Sequence, residues 1–184
     1  MFDPITPLGQ TKPEVVTIGL WTITETVDVA LASLAARRGR GADVVRLAAA
    51  AGVPLPGAGR YEAATVYGAF WLTPEMWMIE AALPEHEDIR AVMLALFGDA
   101  ASITEQTGAW VRFDVTGDDV ARLLERLCNV DLRGAAVGHA TRTVMDHLGC
   151  YVILRSVGQV TIYGPRSSAA SLWHALGVAA RSLV

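Results

Sequence analysis

The side chains in this sequence with reactive chemistry to offer are four histidines, two cysteines and a scatter of arginines and acids. Cys128, His147 and Cys150 are of the right kind for a zinc site and could meet in space, although no pair among them stands at a metal-ligand spacing such as C-x-x-C. Two isolated cysteines make no disulfide framework, so reduced, buried thiols are the plainer expectation. His174 falls in a helical stretch with no nucleophile beside it in sequence, and nothing marks it as a general base. His86 and His139 fit no ligand pattern either. Asp131, Arg133 and Arg142 offer a carboxylate-binding set, because a planar guanidinium can donate two parallel N–H bonds to a carboxylate. Ion pairing within the chain is the competing role for all three. The acidic run EHED at 85–88 reads as the negative first turn of a helix, placed favourably for the helix dipole. No catalytic, cofactor-binding or metal-ligating residue is therefore assigned.

Phosphate cradles are missing as well. GRG at 39–41 and GAG at 57–59 lack the third glycine and the strand-to-helix setting of a dinucleotide fingerprint, and no G-x-x-x-x-G-K-[ST] occurs. Lys12 is the sole lysine and the net charge is −4, which leaves no basic stripe to neutralise a nucleic-acid backbone. The start, MFDPITPLGQTKP, has neither a basic opening nor an apolar core of leader length, and no window reaches the roughly 20 apolar residues that cross a bilayer. A cytoplasmic location and no membrane or nucleic-acid partner are expected. At 184 residues and 52% hydrophobic, the chain is long enough to bury one sizeable core or two smaller ones.

Any functional residue must be positioned by the elements around it. Three prolines, Pro4, Pro7 and Pro13, make residues 1–14 an extended arm, disordered or laid across a partner. VVTIGLWTITETV, from Val15, is β-branched and reads as a strand. Residues 27–37 fit either a strand or an alanine-rich helix, and strand is preferred because GRG and then Asp43 supply a break and an N-cap. Four helices carry apolar residues at i, i+3, i+4 and i+7. They run from Val44 to a stop at Gly52, from Ile89 to Gly98, from Val120 to near Asn129, and through Leu172–Ala179 after Pro165 and the serines at 167 and 168. Strands are expected at 64–72, 76–81, 110–116, 139–146, 150–155 and 160–163. The order implies α+β with two small antiparallel-sheet units carrying packed helices. A ferredoxin-like unit is expected over 15–106 and a second α+β unit over 107–184, or these are two lobes of one compact domain.

FWLTPEMWMIE at 70–80 reads as a hairpin turning at Thr73-Pro74-Glu75-Met76. Counting outward from that turn places Phe70, Leu72, Trp77 and Ile79 on one face and Trp71, Met78 and Glu80 on the other. Both faces are then apolar near the turn, and the second needs a cover, either the rest of the chain or another subunit. Trp71, Met78, Pro4 and Pro7 are the candidate subunit contacts.

PLGQ near the start, WLTPEMW at 71–77, CNVDLR at 128–133 and GPRSSAASLWHAL at 164–176 resemble, in order, motifs of the gamma subunit of heterotetrameric sarcosine oxidase. The resemblance implies a fold similar to the folate-binding module of aminomethyltransferases and of the tRNA-modifying GTPase's N-terminal region. It implies a non-catalytic subunit in a complex that demethylates sarcosine to glycine, releasing hydrogen peroxide and a one-carbon unit for tetrahydrofolate. It also implies alpha, beta and delta partner subunits that carry FAD, FMN, NAD, tetrahydrofolate and zinc, with no cofactor in this chain. The family's LxPDEW is here Leu72-Thr73-Pro74-Glu75-Met76-Trp77, so that motif's aspartate is replaced by Glu75 and its glutamate by Met76. Two alternatives stay open: a free-standing folate or one-carbon-binding module, and the equivalent subunit of an N-methylglutamate-type dehydrogenase.

Overall fold

The structure is a computed structural model that describes residues 5–184. Pro4 lies outside them. In chain order, β1 (Val15–Ile18) and β2 (Trp21–Thr26) are followed by β3 (Val29–Ala36), α1 (Gly41–Ala51), β4 (Tyr61–Ala63), β5 (Gly68–Thr73) and β6 (Met76–Ala82). Next come α2 (Ile89–Phe97), β7 (Ala101–Glu105), β8 (Trp110–Gly117), α3 (Val120–Leu124), β9 (Ala140–Met145), β10 (Leu148–Ser156), β11 (Gln159–Pro165) and α4 (Ala169–Arg181). Every strand pairing is antiparallel, and the fold is α+β with two sheets.

Two compact units emerge, residues 28–108 and a second made of residues up to 27 together with 109–184. This differs from the expected division at 106/107 at one end of the chain. The segment from Val15, expected as one strand of the first unit, is a hairpin that turns at Gly19-Leu20 and joins the sheet of the C-terminal half. The reason is pairing: β2 lies along β8 with Ile23 opposite Val115 and Glu25 opposite Phe113.

In the 28–108 unit the strand order β4-β5-β6-β3-β7 contains the split βαβ pattern of ferredoxin-like folds, with β4 added at one edge. Segment 27–37 is strand, as its break residues argued. Ala30, Ala32 and Leu34 of β3 lie opposite Ala81, Ile79 and Trp77 of β6, and α1 and α2 complete this core with Val44, Ala48, Ile89, Met93 and Phe97. Each large side chain fully buried there contributes about 1.5–3 kcal/mol. Gly52 ends α1 in the left-handed region, turning its N–H back to the carbonyls of Ala48 and Ala49, which a residue with a Cβ does less readily. Asp43 is not the N-cap. Arg40 holds that position, and the Asp43 carboxylate in the first turn accepts from Arg40 Nε at 2.6 Å. In the EHED run the cap is Asp88, which accepts the Ala91 N–H at 2.9 Å.

The 70–80 hairpin turns where expected, with Thr73 opposite Met76, but its register is not the expected one. A bulge at Leu72 sets Trp71 opposite Trp77 and Phe70 opposite Met78. One inserted residue reverses every face beyond it. Trp71 therefore shares the α1/α2 side with Trp77, Ala69 and Ile79, where it packs half-buried against that core. Met78 shares the opposite face with Phe70.

The other unit has the strand order β1-β2-β8-β11-β10-β9. Its core joins Trp21, Ile23, Phe113, Val115, Val152 and Ile162 of the sheet to Leu123 and Leu124 of α3 and Leu172 and Leu176 of α4. The third helix is shorter than its apolar stripe predicts. The Leu127 and Cys128 amides both bond to the Leu124 carbonyl, so the chain leaves the helix in tight turns well before Asn129. At the end of the β2–β8 ladder Gly117 has φ 144°, and a Cβ there would collide with the Leu20 carbonyl oxygen.

Residues 5–14 lie on their own chain. The Glu25 carboxylate, 1% exposed, accepts the Leu8 N–H at 2.9 Å and the Glu14 N–H at 3.1 Å, while Leu8 packs on the core. The expectation of an arm free for a partner is thus corrected for this stretch, because a buried carboxylate needs donors and the arm supplies two. Replacing Glu25 by alanine strands both amides and is expected to lower unfolding free energy in urea by about 1–3 kcal/mol, with faster hydrogen exchange at Leu8 and Glu14. Unaltered exchange would mean the arm is held by something else.

Cys150 sits within the same core, and burial pushes its thiol from the ordinary 9.0 up to about 11. Between those values the folded chain keeps a proton that the unfolded chain has lost. Stability should therefore fall as pH rises from 9 toward 11, by at most about 1.4 kcal/mol per pH unit. Cys150→Ala should flatten that slope in urea titrations at successive pH values, and an unchanged slope would assign it elsewhere.

Candidate functional site

The residues singled out for chemistry fall apart and regroup in the fold. His147 occupies the two-residue turn between β9 and β10 with φ 67°, next to Asp146 at φ 46°, and its side chain is exposed. Cys150 is buried on the helix side of the sheet. Among the described residues no three of His, Cys, Asp and Glu gather where they could hold a metal ion, so the Cys128/His147/Cys150 zinc site is not formed. Both cysteines are free, and burial raises the Cys128 thiol too. His174 is exposed on α4. His86 places Nδ1 3.1 Å from the Ala82 carbonyl and its ring edge-on to Tyr67 at 5.3 Å.

Of the carboxylate-binding set, Arg133 is withdrawn into ion pairs. Its Nε donates to Glu125 at 2.8 Å and its Nη1 lies 3.0 Å from Asp119, which ties the 129–136 segment to both ends of α3. These acids raise the Arg133 pKa further, and Arg133 in turn lowers that of Asp119. Asp131 and Arg142 do come together. They line one cleft of about 450 Å³ with Asn129, Val130, Gly134, His139 and Thr141. The cleft lies between the 129–136 segment and β9, the edge strand of its sheet.

Its two charged groups are held differently. Asp131 uses Oδ1 to accept the Gly134 N–H at 3.0 Å, closing the turn that shapes the cleft wall. Arg142 stands opposite Tyr151 across the β9–β10 ladder, its guanidinium carbon 6.0 Å from the ring centroid. A Cβ at Gly149 would lie in ordinary contact with Nη2, at 3.4 Å. Tyr151 is braced edge-on by Trp110 at 5.3 Å.

A second polar cluster lies on the sheet face opposite α3 and α4, and it is closed. Asp114 accepts from Arg112 Nε with both oxygens, from Thr26 Oγ1 at 2.6 Å and from Thr161 Oγ1 at 2.5 Å, and Arg155 Nε donates to Thr161 at 2.9 Å. Its role is to fasten β2, β8, β10 and β11. Sequence reasoning missed it, because Thr26, Asp114 and Thr161 are far apart in the chain and only the register aligns them.

The candidate subunit contacts are scattered too. Trp71 and Pro7 are half-buried. Met78 is buried, at 3% exposure. No helix among the described residues is long and apolar enough to cross a membrane.

No family model and no curated protein matches the sequence. The fold, however, is similar to a chain of heterotetrameric sarcosine oxidase from Corynebacterium sp. U-96, solved in complex with pyrrole 2-carboxylate. That likeness has a TM-score of 0.78 at 22% identity over 92% of this chain and 88% of that one. It is also similar to the glycine cleavage system aminomethyltransferase T from Bartonella henselae, with a TM-score of 0.67 at 14% identity over 90% of this chain. There this chain spans 50% of the other's length. Its α+β architecture is thus one found in both a sarcosine oxidase chain and an aminomethyltransferase.

Proposed function

We propose that this chain is a non-catalytic, gamma-type subunit of a sarcosine oxidase-like complex. The observation that carries the reading is the extent of the likeness to the sarcosine oxidase chain, 92% of one and 88% of the other, which makes the two chains of similar length as well as fold. The motif strings WLTPEMW, CNVDLR and GPRSSAASLWHAL support the same assignment. On this reading FAD, FMN, NAD, tetrahydrofolate and zinc belong to alpha, beta and delta partners, and substrate choice, sarcosine or another N-methyl amino acid, lies with them too. The contacts offered by this chain are Trp71, beside the exposed Thr73–Glu75 turn, and Pro7 on the pinned arm.

The aminomethyltransferase likeness, with its TM-score of 0.67, favours a second reading, a free-standing folate or one-carbon-binding module. Affinity purification of the full chain from its native host separates the two. Co-elution in fixed stoichiometry with flavin-bearing polypeptides that oxidise an N-methyl amino acid is expected, and Trp71→Ala should reduce that flavin several-fold with helical circular dichroism retained. A chain that elutes alone and binds tetrahydrofolate with micromolar affinity in calorimetry would move the assignment to the second reading.

A further inference from the structure

We propose that one end of the β1-β2-β8-β11-β10-β9 sheet is a subunit contact, receiving from a partner chain a loop that inserts a bulky apolar side chain next to a lysine or arginine. The inference rests on the subunit reading above and adds to it a surface and the chemistry of what covers that surface.

Several parts of the chain meet at that end. The β1–β2 turn reaches β8 there, since the Leu20 carbonyl leaves no room for a Cβ at Gly117, and the Gly117 amide donates to the Gly158 carbonyl of the β10–β11 turn at 3.0 Å. Val184, beyond α4, lies on Gly19, where a Cβ would come 2.7 Å from its Cγ2. Val157 and Val184 are 95% and 82% exposed, and Leu20 is more than half exposed. Beside Val157 opens a cleft of about 360 Å³, lined by Val120, Leu132, Val137 and Leu154 together with the ion-paired Asp119 and Arg133. Val120, Leu132 and Leu154 are buried residues of the core, and Val137 is half-exposed. Exposed valines scattered singly are ordinary, whereas an apolar row that leads into an apolar cleft with charges at its edge has the anatomy of an interface.

Charge and area name the occupant. Asp118, between Gly117 and the cleft residue Asp119, is exposed and makes no ion pair with any described residue. Covering this end would bury that carboxylate alone unless the incoming chain brings a cation. A second copy of this chain would bring a second Asp118 and, at Arg133, an arginine already shared by Asp119 and Glu125. The exposed apolar area is a few hundred Å², against the roughly 800 Å² that each partner of a free-standing complex buries. It therefore suits one contact within a larger assembly, not a dimer held by this end alone. One large apolar side chain seated in the cleft is the anchor such a contact uses.

The test is purification of the tagged full chain from its native host, with bound flavin measured per chain. Wild type is expected to carry flavin-bearing polypeptides in fixed stoichiometry. Val157→Asp and Asp118→Lys should each lower the retained flavin about tenfold, the effect of losing one anchoring contact. Val45→Asp, at an exposed position on α1, should not. Circular dichroism and urea midpoints check that the variants remain folded. Undiminished flavin with either Val157→Asp or Asp118→Lys would overturn the inference and leave the subunit reading standing. A wild-type chain that carries no flavin polypeptide would overturn both. A wild-type chain that sediments as a dimer, and as a monomer after Val157→Asp, would give this end to a second copy and overturn the proposed partner.

Discussion

The pairing of β2 with β8 is the constraint on which most of this molecule rests. It brings the first strands of the chain to the last four strands and sets the edge at which Gly117 meets the Leu20 carbonyl with no room for a side chain. The same ladder carries Glu25 into the core opposite Phe113, where a carboxylate is tolerable only because two backbone amides of the preceding segment reach it. On the other face it aligns Thr26 with Arg112 and Asp114. One register thus determines an apolar core on one side, a closed ion-pair network on the other and the path of the N-terminal arm.

That dependence explains what could be read from the sequence and what could not. Helical stripes and their ends are local, so Gly52 and Asp88 announce α1 and α2 correctly, and the order of strands and helices suffices for an α+β fold with a ferredoxin-like part. Register is not local. The bulge at Leu72 leaves no mark in composition, yet it exchanges the positions of Trp71 and Phe70 relative to the helix-covered core. The attachment of the N-terminal hairpin to the C-terminal sheet was equally hidden, since β-branched residues say that a strand forms and nothing about which neighbour it finds. For the candidate site, residue type pointed to Asp131 and Arg142. It could not tell that Arg133, two positions from Asp131, would be taken by Asp119 and Glu125.

Reactive groups in this chain are mostly held out of use. The thiols of Cys128 and Cys150 are kept protonated by burial, Asp114 is saturated with donors, and Arg133 and Arg40 are tied to acids.

The interruption of one unit by another also has a consequence for synthesis. Residues 28–108 contain every strand of their own sheet, so this part can close while the ribosome is still translating the C-terminal strands. The segment Val15–Thr26 leaves the exit tunnel first and completes its ladder late, because the strand it pairs with has yet to be made. At translation speeds of about 5–20 residues per second that wait lasts seconds. During it the indole of Trp21 and the Glu25 carboxylate are in water, and a nascent-chain chaperone would find a target in this waiting segment.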